Sequence, residues 1–429
     1  MPVTPAAPTA DLETTLNALW PTYEQGLQDL IRIPSLLGDE TRAQEQVALL
    51  AEGAGLDVEL WDVDPAELAR HPDYAPVDGG EGVRPNVTGV LSGTGHGRSI
   101  AISGHVDVVS AMPANQWKHE PWSGAVESGR IYGRGTLDMK GGLVAGLLAI
   151  HAVQRTYGRL AGDVVFESVI EEECTGNGTL AARLHGPSVG AALIPEVSGE
   201  DVQIANPGVV WFEVTVTGKP AYVGLAGASV NAVEVAMDVA VGLRALVDRL
   251  NESFEHPAYS GQSQPLTLNV GTFEGGDWPS NVPLECRAGF RLSFPLDWTV
   301  AQAQRAVEQR LAEIAAEHSW LKQHPPQLRF HGYRARGYYI DPTDPLVELL
   351  KSTVADVTGE PARISAMFGT ADARYFADHA IPAVYYGPAG GNMHAPDEWV
   401  DLASVRRVAS VMARTVVSWA GSAGHGSGT

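Results

Sequence analysis

The chain has 429 residues, 44% of them hydrophobic, enough for a sizeable core in two large domains or about three average ones. Lys and Arg number 29 against 51 Asp and Glu; the resulting formal charge of −22 repels phosphate backbones and anionic lipid, so neither nucleic acid nor membrane is expected as a partner. With Cys174 and Cys286 alone there is no disulfide framework, and a thiolate zinc site would be short of ligands.

At the N-terminus, MPVTPAAPTADLETT has neither the charged nor the apolar region of a signal peptide. No uninterrupted run of 18 apolar residues follows, so no transmembrane helix and a cytosolic location are expected. Leu12, Leu16, Leu19, Tyr23, Leu27, Leu30 and Ile31 recur at helical spacing and predict a helix with one buried face. Asp39 reads as the N-cap of a second helix, ETRAQEQVALLAEGAG. Short apolar runs then alternate with helical stretches. NVTGVL, SIAISG, DVVFESVI and AALIP read as strands, MKGGLVAGLLAIHAVQRTYG and TLAARLHG as helices. That alternation predicts an α/β fold, a mostly parallel sheet with helices on both faces.

Between 208 and 332 the texture changes. GVVWFEVTVTG alternates strictly, with Val210, Phe212, Val214 and Val216 on one face and Trp211, Glu213, Thr215 and Thr217 on the other, the mark of a one-sided antiparallel sheet. A helix, strands at TLNVGTF and ECRAGFRLSF, a second helix and a strand at QLRFHG complete β-α-β-β-α-β, the ferredoxin-like α+β order. DPLVELLKSTVADVTG and IPAVYYG then resume helix and buried strand. The expected organisation is a catalytic domain in two parts, 1–207 and 333–420, an inserted domain at 208–332, and a flexible tail at 421–429.

Chemistry-bearing residues cluster at five places. SGHVDVV sets His105 and Asp107 at i and i+2 of an extended segment, pointing the same way, so the carboxylate can hold the imidazole. GRIYGRGTLDMKGG places Asp138 at a helix start, without the spacing of a phosphate-binding loop. VIEEECTGNG ends a strand on Glu171, Glu172 and Glu173, whose mutual repulsion cations relieve. Glu196 follows AALIP, and His394 sits in GPAGGNMHAPDEW after IPAVYYG. Each alone is also what a solvated loop looks like. Together, His105, Glu172 or Glu173, Glu196 and His394 each follow a different apolar strand, and the functional crevice of an open α/β sheet lies outside those strand ends. Two His with carboxylates and no Cys suit a pair of divalent ions, Zn²⁺ first, with a carboxylate such as Asp138 bridging ions about 3.5–4 Å apart.

SGHVDVV, YGRGTLDMKGG, the EEE run, IPEVSG, GTADARYF and GGNMHAPDEW resemble, in order and spacing, the co-catalytic zinc amidohydrolase and peptidase family of acetylornithine deacetylases, succinyl-diaminopimelate desuccinylases, aminoacylases and glutamate carboxypeptidases. The resemblance covers nearly the whole chain, with the deacylase branch closest, and makes the insert a dimerising lid. It implies one zinc on His105, Asp138 and Glu196 and another on Asp138, Glu173 and His394, with Co²⁺ or Mn²⁺ as alternatives. It further implies that Glu172 carries the proton, that Asp107 orients His105, and that the Asp138–Met139 peptide bond is cis. Aligning the EEE run one residue earlier puts Gly178 out of step. Asn281 and Arg291 match lid positions that meet the substrate's carboxylate or carbonyl, and Gly390 and Gly391 offer backbone N–H groups. One place departs: where the family carries a lid His reaching the partner subunit's site, this chain has Tyr222, which can donate one hydrogen bond but no charge. The expected activity is removal of an acyl group from an N-acyl amino acid or related small amide. Carboxypeptidase or dipeptidase action, and a metal-bearing binding protein with little turnover, are the alternatives.

Overall fold

The structure, a computed structural model, describes residues 9–80 and 82–421; the first part of the N-terminal reading and the tail at 422–429 lie outside the described residues. Helix α1 (Thr9–Ile31) buries Leu12, Leu16, Tyr23, Leu27, Leu30 and Ile31 along one stripe, as their spacing predicts. Helix α2 (Thr41–Gly53) departs from expectation, because Glu40 and not Asp39 occupies its N-cap. Glu40 does not cap with its side chain; its carboxylate accepts from the buried guanidinium of Arg84 at 2.7 Å. A buried cation needs a carboxylate more than an exposed helix end needs a cap.

Strands β1 (Asp57–Val63) and β2 (Arg84–Leu91) lead into β3 (Ile100–His105), helix α3 (Gly141–Tyr157), β4 (Val164–Val169), β5 (Ala192–Ile194) and β6 (Val202–Gln203). The insert supplies β7 (Gly208–Thr217), α4 (Ala232–Ser253), β8 (Leu268–Gly275), β9 (Glu285–Phe294), α5 (Val300–Glu317) and β10 (Gln327–Ala335). Helix α6 (Pro345–Thr358), β11 (Ile364–Ser365), β12 (Ala383–Tyr385) and α7 (Leu402–Ala420) return to the first sheet.

That sheet has eight strands in the order β1-β2-β4-β3-β5-β12-β6-β11. Its centre, β4-β3-β5-β12, is parallel throughout. Antiparallel pairs lie to either side, at β1-β2, β2-β4 and β12-β6. The α/β class holds, in a mixed sheet. The second sheet has the order β8-β9-β7-β10, every pair antiparallel, which is the ferredoxin-like order expected for the insert. Val210, Phe212, Val214 and Val216 pack in a core of its own with Val239 and Leu243 of α4 and Val307 and Leu311 of α5.

Thr136–Tyr157 is apolar and long enough to cross a membrane by composition, yet 94% of its most apolar window is buried within the protein. It is the central core helix, packed between α1 and α7. Its glycines set how closely it sits on the sheet. A Cβ on Gly142 would lie 1.9 Å from the Pro195 carbonyl oxygen, and one on Gly146 would lie 2.6 Å from Ile102. Pro195 immediately precedes Glu196, so this contact also places a candidate metal ligand. Gly142→Ala is expected to lower the unfolding free energy by at least about 1–3 kcal/mol, as overpacking does. Urea unfolding checks it, and an unchanged midpoint would contradict this account of the close approach.

Candidate active site

The four parallel strands at the sheet centre end along one edge, and each delivers acidic or imidazole groups there. His105 is the last residue of β3, Glu172 and Glu173 follow β4, Glu196 follows β5, and His394 lies in the loop after β12. Asp138 enters from the turn Thr136–Lys140, which opens into α3; its peptide bond to Met139 is cis.

The donor atoms form one continuous chain. His105 Nε2 lies 3.5 Å from Glu196 Oε1 and 3.3 Å from Asp138 Oδ1. The other Asp138 oxygen, Oδ2, lies 3.1 Å from His394 Nε2, which is 3.3 Å from Glu173 Oε2. Asp138 therefore offers one oxygen to each half of the cluster. Glu172 Oε2 comes to 3.9 Å from His105 Nε2, while its buried Oε1 has no hydrogen-bond partner among the described residues.

The three adjacent glutamates separate by direction. Glu171, with φ of 60°, turns away from the cluster into a buried ion pair with Arg84 and accepts from Thr175 Oγ1 at 2.8 Å and Asn177 Nδ2 at 2.9 Å. Glu172 and Glu173 face the cluster, and their backbone N–H groups donate to the two carboxylate oxygens of Asp107 at 3.1 and 3.0 Å. Asp107 also meets His105, mainly through its backbone carbonyl, 2.9 Å from Nδ1, and at 3.5 Å through its carboxylate. It positions the glutamate turn at least as much as the imidazole. Gly178, the marker for aligning the run, packs against β4's exit, where a Cβ would lie 2.1 Å from the Ile170 carbonyl oxygen.

Two positioning residues escaped the sequence reading although both lie in quoted motifs. Glu398 Oε1 accepts from the backbone N–H groups of Leu137 at 2.9 Å and Asp138 at 3.2 Å, and its other oxygen pairs with buried Arg134. The two are 264 positions apart, so no local pattern announces the pair.

The protein groups alone carry more negative charge than the site can bury uncompensated. Burial, with Asp372, Glu196 and Glu173 adding to it, pushes Glu172 well above the usual carboxylate range; burial and Asp138 push Glu196 up to about 8. Burial opposes a charge on His394, but Glu173 and Asp138 outweigh it and raise the imidazole to about 11. Asp138, despite its own burial, is held below the usual carboxylate range by His105 and His394. Divalent cations answer that surplus of acceptors without protons. Two imidazole and several carboxylate donors, free of thiol, fit borderline-hard ions.

A cavity of about 550 Å³ opens from this edge, lined at one end by Asp138, Glu172, Glu173, Glu196 and His394 and walled by Trp211, Arg291 and Tyr333 of the insert. Arg291 donates to Ser293 Oγ at 3.1 Å and Thr267 Oγ1 at 3.3 Å. The remaining substrate-contact expectations fall elsewhere. Tyr222 pairs with Asn281 in a small two-stranded antiparallel ladder outside this cavity, and it is 68% exposed. Gly390 and Gly391 form a ladder with Trp399 and Val400, and a Cβ on either would strike Trp399, so close packing accounts for both glycines.

A family model described as Peptidase family M20/M25/M40 matches residues 101–418. An N-formyl-4-amino-5-aminomethyl-2-methylpyrimidine deformylase of Halalkalibacterium halodurans is 26% identical over 398 residues, 88% of each chain. A protein of the same name from Bacillus subtilis is 26% identical over 439 residues, 95% of this chain and 98% of that one. Among solved structures, a dipeptidase of Saccharomyces cerevisiae superposes with a TM-score of 0.78 at 15% identity, covering 96% of this chain and 98% of that one.

Elemental analysis of metal-reconstituted protein is expected to find about two equivalents, as a bridged site requires. Glu173→Gln should retain about one, whereas Glu171→Gln should keep two and instead lose about 3 kcal/mol of stability, the low end for a broken buried pair because Arg84 retains Glu40. Carboxylates around His105 and His394 outweigh burial and raise both imidazoles, whose protons must leave as metal enters, so uptake should release protons and weaken as pH falls. Calorimetry in buffers of different ionisation enthalpy reads that release. Metal loss in Glu172→Gln with full retention in Glu173→Gln would move the glutamate run by one residue.

Proposed function

The chain belongs to peptidase family M20/M25/M40, and from that premise we propose that it is a two-metal hydrolase removing a short acyl group from a small N-acyl amine, with formyl as the first candidate. The observation that carries this reading is the unpartnered Glu172 carboxylate oxygen beside the His and carboxylate chain. The nearly full-length likeness to two deformylases supports the acyl group.

Two ions, Zn²⁺ first with Co²⁺ or Mn²⁺ as alternatives, held by His105, Asp138 and Glu196 and by Asp138, Glu173 and His394, would supply Lewis-acid activation of water and carbonyl. Glu172 accepts the proton of the attacking water and returns it to the leaving nitrogen. Burial and neighbouring carboxylates keep it basic enough to do both. Asp107 holds the turn that aims it, and the Tyr333 hydroxyl donates to its backbone carbonyl.

A second reading, an N-acyl amino acid or a peptide with a free carboxylate, draws support from Arg291 in the cavity wall, since a guanidinium grips a carboxylate at two points. Exposed Tyr222 can serve a reaction only in the cavity of a second chain, so we also propose a homodimer through the insert, with the Tyr222 hydroxyl donating to the oxyanion in the partner's site.

Metal-loaded protein assayed on N-formyl amines, N-acetyl and N-succinyl amino acids and dipeptides should favour the formyl amines and fall silent in chelator; a preference for carboxylate-bearing substrates would select the second reading. Glu172→Gln should lower kcat by at least ~10²-fold while keeping its metal. Tyr222→Phe should lower kcat by roughly 10²-fold with little change in KM. Mixing the two variants should restore part of the activity in heterodimers, whereas a monomer in sedimentation would remove the cross-subunit role.

A further inference from the structure

Away from the metal-binding edge, the same cavity has a polar end that hydrolysis does not use. Gln203 Oε1, Gln262 Oε1, Ser365 Oγ and Trp211 Nε1 all belong to its lining residues, and each of these atoms is buried without a hydrogen-bond partner among the described residues. Folded proteins rarely leave such groups unpaired, so their gathering in one cavity calls for a ligand.

Their placement is built. Gln203 and Ser365 are register partners on the adjacent parallel strands β6 and β11, so their side chains leave the sheet side by side. Gln262 comes from the insert, in the turn after Pro257–Tyr259, and its N–H donates to the Tyr259 carbonyl at 3.0 Å. The Tyr259 hydroxyl donates to the Met367 carbonyl at 2.8 Å, fastening that turn two residues from Ser365. Trp211 packs edge-on against Tyr333, ring centres 5.3 Å apart, in space left by Gly332, where a Cβ would lie 2.6 Å from the indole. Tyr333 reaches the Glu172 carbonyl, so the polar end and the catalytic turn share one chain of contacts.

The cations of the lining on this side are already engaged: Arg363 is paired with Asp201 at 2.6 Å, and Arg291 donates to Ser293 and Thr267. The amide oxygens accept, the indole N–H donates, and the Ser365 hydroxyl does either. Trp211 and half-exposed Phe368 add flat apolar surface. A carboxylate or an aliphatic chain leaves those groups unsatisfied. A planar heterocycle with an exocyclic amine beside ring nitrogens matches them.

We propose that Gln203, Gln262, Ser365 and Trp211 form the subsite that reads the amine part of the substrate, and that it takes a neutral, amino-substituted nitrogen heteroaromatic of the aminopyrimidine class. This rests on the reading of the protein as a hydrolase of small N-acyl amines and assigns the specificity of that site. The test is calorimetric titration of the metal-loaded protein with 4-amino-5-aminomethyl-2-methylpyrimidine and with benzylamine, which keeps the aminomethyl arm and the ring shape but lacks every ring and exocyclic nitrogen. The heterocycle is expected to bind at least ~10²-fold more tightly, because a site built to hydrogen-bond its ligand rejects the analogue that cannot. Gln203→Leu and Gln262→Leu should each shrink that preference about tenfold, a loss of one hydrogen-bonding partner. Equal affinity of the wild-type protein for the two amines overturns the subsite without recourse to any variant, as does an undiminished preference in both folded variants. Hydrolysis of N-formylbenzylamine reports separately on the reaction: its absence, together with that of every other N-formyl amine, would overturn the deacylase reading, while the titration still decides the subsite.

Discussion

One carboxylate faces two imidazoles drawn from opposite ends of the chain, and the rest of the site supports that arrangement. Asp138 directs Oδ1 at His105 and Oδ2 at His394, its partners lying 33 and 256 positions away. A buried anion is tolerated only where charge and hydrogen bonds compensate it. Here the imidazoles compensate it from one side, and from the other the Glu398–Arg134 pair fixes the backbone on which Asp138 sits. Glu196 and Glu173 extend the row at both ends, which makes Asp138 the hinge between two potential ion positions.

Around that row, the protein uses carboxylates for two opposite purposes. Glu40 and Glu171 neutralise Arg84 and are spent on structure. Glu172 and Glu173, one and two residues further on, are presented to the site by N–H donation into Asp107. Backbone direction decides which is which: the left-handed conformation at Glu171 throws its side chain to the far side of the turn. Residues of one type in one run thus acquire separate chemistry.

The cavity divides its labour between the two sheets. The eight-stranded sheet supplies the charged groups at one end, and the insert supplies Trp211, Gln262, Arg291 and Tyr333 as wall and roof. The candidate metal and proton groups therefore rest on the parallel strand ends, while the facing wall of the cavity depends on the insert. A solved dipeptidase shares this fold at 15% identity, and a fold by itself does not fix a substrate.

The sequence alone determined the fold class and the family. Strand and helix periods, the strict alternation over Gly208–Thr217 and the β-α-β-β-α-β order are local signals, and the sheet orders agree with them. His105, Asp138, Glu172, Glu173, Glu196 and His394 were legible as candidates because each stands at the end of an apolar strand or the start of a helix, a position that pattern reveals without contacts. The Asp39 cap was misread because Arg84, more than 40 residues on, claims the neighbouring Glu40. Only the tertiary structure decided which glutamate of the run turns away, that Arg134 and Glu398 support Asp138, and that Trp211, on the polar face of its strand, lines a cavity instead of meeting bulk solvent. It also decided that Gln203, Gln262 and Ser365 meet around one space. Their side chains carry no local signature. What gives them meaning is proximity between strands and loops far apart in the chain, and that exists only once both sheets have folded and packed.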